Sequence, residues 1–430
     1  MKLFQRFGEQ TFASLKNRNF RLYFVGQGIS LAGTWMQTVA QAWLVLQMTH
    51  SGTILGLVSA LQFLPILIFG PMAGVLVDRY PKKTIQIYTQ SISGLLALAL
   101  GVLVALGHIQ LWMIYALALA LGLISAVDNP ARQAFVVELV GETELGNAVT
   151  LSTAELNLAR VAGPALAGAV IAKVGMASCF FLNAVSYIAV IIVLFLIRDA
   201  ELTINKTTTA IKGKLREGFR YVMATAVLRN SLIIMAIIGT LTYEYSINLP
   251  LIAQFTFHGN AGTYAILTAA MGMGSVVGGI LTAHRSHVTE RLLVETAFFL
   301  GVSTILTALM PTETLSLVTL VIVGYYSVNF ISQSNILLQL GSKPEMRGRV
   351  MALWTVAFLG STVIGGPIIG WIGQVFSPRW GLGVSGSAAI VAAGYGVITL
   401  RGRVKQEVPP VVQLGSDEAV DIEEKETRAL

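Results

Sequence analysis

The stretch Gly74–Lys83, GVLVDRYPKK, closes one long apolar run, and another leaves it at Ile85. Gly74 has no side chain to hold a neighbouring helix away. Asp78 and Arg79 fall where a helix would meet water. Lys82 and Lys83 hold the turn on the positively charged side of a membrane. A short charged turn between two apolar runs is a membrane hairpin, and the rest of the chain repeats the pattern.

Of the 430 residues, 54% are hydrophobic and 12% charged, against about 25% charged in a soluble domain. A soluble chain of this length could not hide so much apolar surface, so the fold class is an all-α polytopic membrane protein. The formal net charge of +7 is not a nucleic-acid patch, because 26 of the 29 Lys and Arg fall in segments on one side of the membrane. Lys173 and Arg379 fall on the other side, and Arg160 lies inside an apolar run. That is the positive-inside asymmetry. It makes the lipid bilayer the partner and places both termini in the cytoplasm of a prokaryotic cell, with Cys179 and His108 near the external face. The lone Cys179 excludes an internal disulfide and a cysteine-cluster metal site. No cleaved secretory signal is expected.

After a basic cytoplasmic segment, 1–21, apolar runs fall near 22–48, 53–77, 84–106, 111–127, 149–172 and 178–197. A hydrophilic stretch, 198–229, carries seven basic residues and an amphipathic segment from Leu215 to Leu228, and reads as a cytoplasmic linker. Six more runs, near 231–256, 263–283, 292–310, 314–337, 350–375 and 381–400, fill a second half, 230–403. The tail, 404–430, is acidic, contains proline and is expected to be disordered. Twelve spans in two pseudo-symmetric six-helix bundles are the expectation. The halves read as repeats: GPALAG at Gly163–Gly168 returns as GPIIG at Gly366–Gly370, with Pro164 and Pro367 203 residues apart. Gly70, Gly74 and the Asp-Arg turn return as Gly274, Gly278 and Ala283-His284-Arg285, without the acid.

No phosphate-binding G-x-x-x-x-G-K-[ST] loop, H-E-x-x-H pair or G-x-S-x-G elbow occurs, so no enzyme activity and no cofactor are expected. An ion gradient, worth about 2.3 kcal/mol per charge per 100 mV in its electrical part, is the expected energy source. Of the 22 acidic residues, Glu155 and Glu244 fall well inside apolar runs and Glu295 about a turn from an end. Each costs roughly 2.5–3.5 kcal/mol at mid-helix and needs a partner, a cavity or a proton. Helical spacing sets Thr240, Glu244 and Asn248 on one face. Gln27, Ser30, Thr34, Gln37 and Gln41 form a polar stripe on the first span, and Tyr326, Asn329 and Gln333 one on the tenth. Such stripes face protein or water, either as glue between helices or as substrate contacts. Arg160 could pair with Glu155 or Glu244, although 155 and 160 lie about 140° apart around a helix. Gly163, Pro164 and Gly168 suit a bending hinge.

The pattern Gly74, Leu76, Asp78, Arg79, Lys83, with Pro81 where glycine is usual, resembles the signature between the second and third helices of the major facilitator superfamily. The stretch from Asn129-Pro-Ala-Arg-Gln through Asn157-Leu-Ala-Arg-Val-Ala-Gly-Pro-Ala-Leu-Ala-Gly168 resembles its branch of enterobactin exporters and macrolide-efflux proteins. The resemblance covers residues ~15–400. It implies a monomeric secondary transporter that exports a small amphiphilic molecule (a siderophore, macrolide or other drug-like compound) in exchange for protons, by alternating access. On that resemblance spans 1, 7 and 10 line the central cavity, Glu244 with Arg160 and Glu155 couples protons, and the G-P-x-x-x-G motif of span 5 belongs to antiporters. Gly74, Asp78, Arg79 and Lys83 form a cytoplasmic gate that latches the two halves. Span 4, read as almost wholly apolar, departs from the pattern: it lacks the arginine of many proton-coupled drug exporters. A lysophospholipid transporter and a transport-dead sensor or assembly partner of the same fold are the alternatives.

Overall fold

The computed structural model describes residues 13–141, 144–203, 214–283, 288–343 and 346–401. Most of the N-terminal segment, the core of the linker, the second copy of the turn at His284-Arg285 and the acidic tail lie outside the described residues. Twelve long helical segments follow one another: α1 (Arg18–Thr49), α2 (Gly52–Arg79), α3 (Lys82–Ala105), α4 (Leu111–Val140), α5 (Leu145–Val174), α6 (Ala177–Leu196), α7 (Ala226–Thr256), α8 (Ala261–Ala283), α9 (Glu290–Leu309), α10 (Glu313–Leu340), α11 (Arg347–Val375) and α12 (Pro378–Arg401). A short helix, Lys214–Ala224, precedes α7 within the amphipathic segment.

The ends have local causes. The Asn17 side chain accepts from the amides of Asn19 and Phe20 to start α1. Ser51, Thr289 and Thr312 cap α2, α9 and α10 in the same way, satisfying amides that have no partner inside the helix. α1 stops at His50, which is left-handed at φ 49.

Among the described residues, ten helices are long and apolar enough to cross a membrane. α1 and α5, at 32 and 30 residues, are long enough but too polar to qualify. They carry the amide stripe, Glu155 and Arg160. α4 corrects the sequence reading: the helix does not end at 127 but continues through Asp128 and Pro130 to Val140. Proline removes one amide and favours an extended residue before it, and next to three polar residues it imitates a loop. α1 begins at Arg18, inside the segment 1–21 assigned to the cytoplasmic N-terminus.

Helix pairing repeats along the chain. α1 packs on α5 and α6, α2 on α4, and α3 on α4 and α6. Six helices later α7 packs on α11 and α12, α8 on α10, and α9 on α10 and α12. The two sets meet along α2–α11 and α5–α8, again equivalent under the repeat. Leu95, Phe195 and Ile398 are exposed on the outer surface, as lipid-facing positions must be. Trp112 and Trp380, exposed in the first turns of α4 and α12, have the amphipathic rings suited to the lipid headgroup level.

Candidate functional site

Both seams are closely packed at the end away from the Asp-Arg turn. A methyl group on Gly56 of α2 would overlap the Gly366 carbonyl of α11, and one on Gly370 would overlap the backbone of Gly52. Beside them Ser51 Oγ, Thr53 Oγ1 and the Thr53 amide donate to Gln374 Oε1, at 2.6, 2.9 and 3.2 Å. On the other seam, a Cβ on Gly168 would sit 2.8 Å from that of Ala265, and one on Gly272 would sit 3.0 Å from the Arg160 carbonyl. Small residues allow this approach, and without lipid-excluded hydrophobic drive it is close packing that binds helices together.

At the end bearing the Asp-Arg turn, Gly70, Gly74, Gly146 and Gly348 have open space around them. Asp78 and Arg79 are exposed there. Lys82 pairs with Glu138 at 3.3 Å, and Lys83 with Asp199 at 2.6 Å and the Ile197 carbonyl at 3.0 Å. The lysines thus tie the turn to the first six helices. Among the described residues, no ion pair reaches Asp78 or Arg79.

Arg160 of α5 lies at the close contact with Gly272 of α8. Its guanidinium carbon is 5.2 Å from the ring centre of Trp35 on α1, and the Tyr243 phenol of α7 is the ionisable group that acts on it. Tyr243 donates to the Ser327 carbonyl at 2.7 Å and meets Phe358 of α11 edge-on at 5.3 Å. Trp354 packs 5.3 Å from Phe358 and donates to Ser334 Oγ at 3.1 Å. Trp35, Arg160, Tyr243, Trp354 and Phe358 are all half-buried. One cation and four aromatic rings from both sets of helices therefore form a wall with accessible surface. Magnitudes identify what is missing. The cation–π contact is worth about 0.5–2 kcal/mol, and removing an ion from water costs several. The expected pairing with Glu155 or Glu244 does not form: among the described residues no ion pair reaches Arg160, and its Nε is buried without a hydrogen-bond partner.

Glu244 occupies a break in α7. Helix runs from Ala226 to Leu241, stops, and resumes at Tyr245. Thr240, Glu244 and Asn248 therefore do not share one helical face, because their spacing assumed an unbroken helix. The Glu244 carboxylate lies behind the repeated motif of α11: a Cβ on Gly365 would sit 3.1 Å from Oε1, and one on Gly366 3.6 Å from Oε2. Glu244 is 1% exposed, and Oε1 has no hydrogen-bond partner. Asn248 instead donates to Ser385 Oγ of α12 at 3.1 Å, and the Thr240 hydroxyl returns to the Ala236 carbonyl at 2.6 Å.

The longer α4 brings in a charge cluster that the sequence reading missed. Asp128 accepts from Thr89 at 2.5 Å and Gln90 at 3.1 Å. Arg132 donates to Asn129 at 3.1 Å, and its charge acts on Glu155. Glu155 is packed against Gly28 of α1. Arg160 is thus not the only cation on a membrane helix, and α4 is not wholly apolar. The signal available in the sequence was the helical spacing of Asp128 and Arg132 at i, i+4.

The polar stripes mostly bind helix to helix. Gln37 accepts from Asn183 of α6 at 2.7 Å, and Thr34 meets the Tyr187 hydroxyl at 3.4 Å. Asn329 accepts from Thr282 of α8 at 2.6 Å, and Tyr326 stacks on Phe299 of α9 at 5.4 Å. Gln27 and Gln333 are buried, with amide atoms that find no partner among the described residues. Gln41 is half-buried. α5 runs unbroken through Pro164, and Gly163 lets α1 approach at Ala32 and Trp35. An apolar crevice of about 530 Å³ opens between α5, α8 and α10, lined by residues such as Ala165, Ala269, Met273 and Val321.

The repeated pairing and the seam between two equivalent sets of helices define a membrane transporter of the major facilitator type. A bacterial homologue of the human lysosomal transporter Spinster, solved inward-facing and unoccupied, shares this fold with a TM-score of 0.70 at 13% identity, covering 91% of this chain and 98% of that one. The chain belongs to the transmembrane secretion effector family, whose model matches residues 9–415. It is 26% identical over 402 residues to an enterobactin exporter of Salmonella choleraesuis, which spans 92% of this chain and 96% of that relative. It is also 26% identical over 354 residues to macrolide efflux protein A of Streptococcus pyogenes, spanning 79% and 86%. It is therefore an efflux-type, multi-pass secondary transporter of a small organic molecule.

Proposed function

We propose that this protein exports small amphiphilic molecules from the cytoplasm by proton antiport, and that the conformation described above is its inward-facing state. The observation that carries the reading is the half-buried wall of Arg160, Trp35, Tyr243, Phe358 and Trp354, built from both sets of helices, with glycine contacts packing the seams away from the basic turn. All twelve helices cross in this reading. α1 and α5 pack on each other and shield polarity that neither could show to lipid. An even number of crossings puts both termini with the basic turns in the cytoplasm. The halves 22–197 and 230–403 rock about the wall, joined by the linker 198–229. Gly163, Pro164 and Gly168 flex at one seam.

Release outward requires the Gly52–Gly56 contacts with Gly366–Gly370 to part. Glu244 sits directly behind Gly365 and Gly366, so opening that seam uncovers the carboxylate to the outside, and closing it buries the carboxylate again. The protonation state of Glu244 thereby biases the seam, and the proton it collects outside is delivered inside. With the outer seam open, Asp78 and Arg79 latch the cytoplasmic ends. Oriented vesicles with an imposed pH gradient test this: the chain should accumulate a catechol siderophore against its gradient, and dissipating the pH gradient should stop it. Equilibration without accumulation would refute antiport.

A second reading, movement of lysophospholipid between leaflets, is favoured by the apolar crevice between α5, α8 and α10, whose lining includes the exposed Ile266, Met273 and Val318. Transfer of a short-chain fluorescent lysophospholipid in the same vesicles, with no macrolide or siderophore flux, would select it.

A further inference from the structure

We propose that Arg160 makes the central wall selective for anions, so that the transported amphiphile carries an acidic oxygen (a carboxylate, sulfonate, phosphate or phenolate) at its polar end. This rests on the wall being the substrate site. The guanidinium has five N–H donors in a planar fork that matches an oxyanion. The protein uses little of that capacity: one face lies on Trp35, and Nε is buried without a partner.

Neither buried carboxylate that could have neutralised it is turned to it. Glu155 lies against Gly28, within the field of Arg132. Glu244 lies against Gly365 and Gly366 of α11. The Tyr243 hydroxyl, which is near enough to act on Arg160, gives its proton to the Ser327 carbonyl. A cation set between the two halves, half-buried and unneutralised, is completed by a ligand that brings the opposite charge. The rings of Tyr243, Phe358 and Trp354 continue from it as an apolar surface for the body of the same molecule. A cationic amphiphile would meet like charge and, among the described residues, no facing acid, and is excluded.

The test uses the full chain in detergent and two fluorescent probes of one skeleton, anilinonaphthalene sulfonate and uncharged N-phenylnaphthylamine, with micelle binding subtracted. The parent should bind the sulfonate about tenfold or more tighter than the uncharged probe. Arg160→Gln should erase that preference, while Arg160→Lys should keep part of it, as a charge without the fork. A measurement free of substitutions reads the same property: decanesulfonate should displace the uncharged probe from the parent, and decyltrimethylammonium should not. Equal affinity of the parent for both probes, or sulfonate binding unchanged in Arg160→Gln, overturns the charge selectivity and leaves the site standing. If neither probe binds the parent, the wall is not a substrate site, and this inference falls with it.

Discussion

In the first six helices the charges around α4 keep company. Asp128 accepts two hydrogen bonds, Arg132 holds Asn129 and acts on Glu155, and Lys82 reaches Glu138. In the last six, Glu244 stands in a helix break with one oxygen unpaired, pressed against two glycines. The helix pairing of the two sets is equivalent, so packing does not require the difference. A charge held by several neighbours stays ionised through a conformational cycle and serves stability. A carboxylate with one unpaired oxygen, on a seam that the proposed mechanism moves, can exchange its proton for a change of shape. On the proposed mechanism the first set is the frame and the second holds the coupled element.

The largest expected effect removes that element. One pH unit is worth about 1.4 kcal/mol per proton and supports roughly tenfold accumulation of a substrate exchanged one for one. Glu244→Gln should bring accumulation in vesicles down to equilibration, with substrate exchange intact, while Glu155→Gln retains most of it. Equal losses in the two variants would break the comparison.

Next in size is the seam in front of Glu244. Gly366→Leu overpacks a backbone contact at a cost of about 1–3 kcal/mol, enough to displace the closed outer end. Crosslinking between cysteines placed at Thr53 and Gln374 should fall about tenfold. The native Cys179 is fully buried and adds no background.

A smaller effect is expected at the exposed turn. Asp78→Asn should slow transport several-fold by weakening the latch of the opposite state, with probe affinity in detergent unchanged. Full transport would leave the turn a topological marker.

The least effect on coupling belongs to the frame. Asp128→Asn should cost about 1–3 kcal/mol through its donors, read as a lower melting temperature, and leave the accumulation ratio unaltered. A loss of coupling there would move the proton site into the first half.

The architecture was legible because membrane helices must satisfy their own backbone and be apolar for about 20 residues, so hydropathy and the Gly-Pro repeats marked most of it. The site was less so. Pro130, with charges on either side, resembles a loop, and only tertiary packing carries α4 through it. The apolar run around Glu244 gives no sign that the helix stops at Leu241. Amides at helical spacing look alike whether they bind a substrate or, like Gln37 and Asn329, a neighbouring helix. Trp35, Tyr243, Trp354 and Phe358 are ordinary apolar residues of separate spans until the fold brings three helices and Arg160 together.

The polarity of α1 and α5 sets a schedule for biogenesis. Among the described residues α1 precedes the other spans, yet it falls short of the apolarity of a helix that crosses a membrane by itself, and the helix it packs against ends at Val174. At about 5–20 residues per second, the 125 residues from Thr49 to Val174 take roughly 6–25 s to synthesise. For that interval α1 has to be sheltered at the translocon or at the membrane surface. A nascent chain arrested before α5 emerges should therefore leave α1 extractable by alkali, and one arrested after α6 should not.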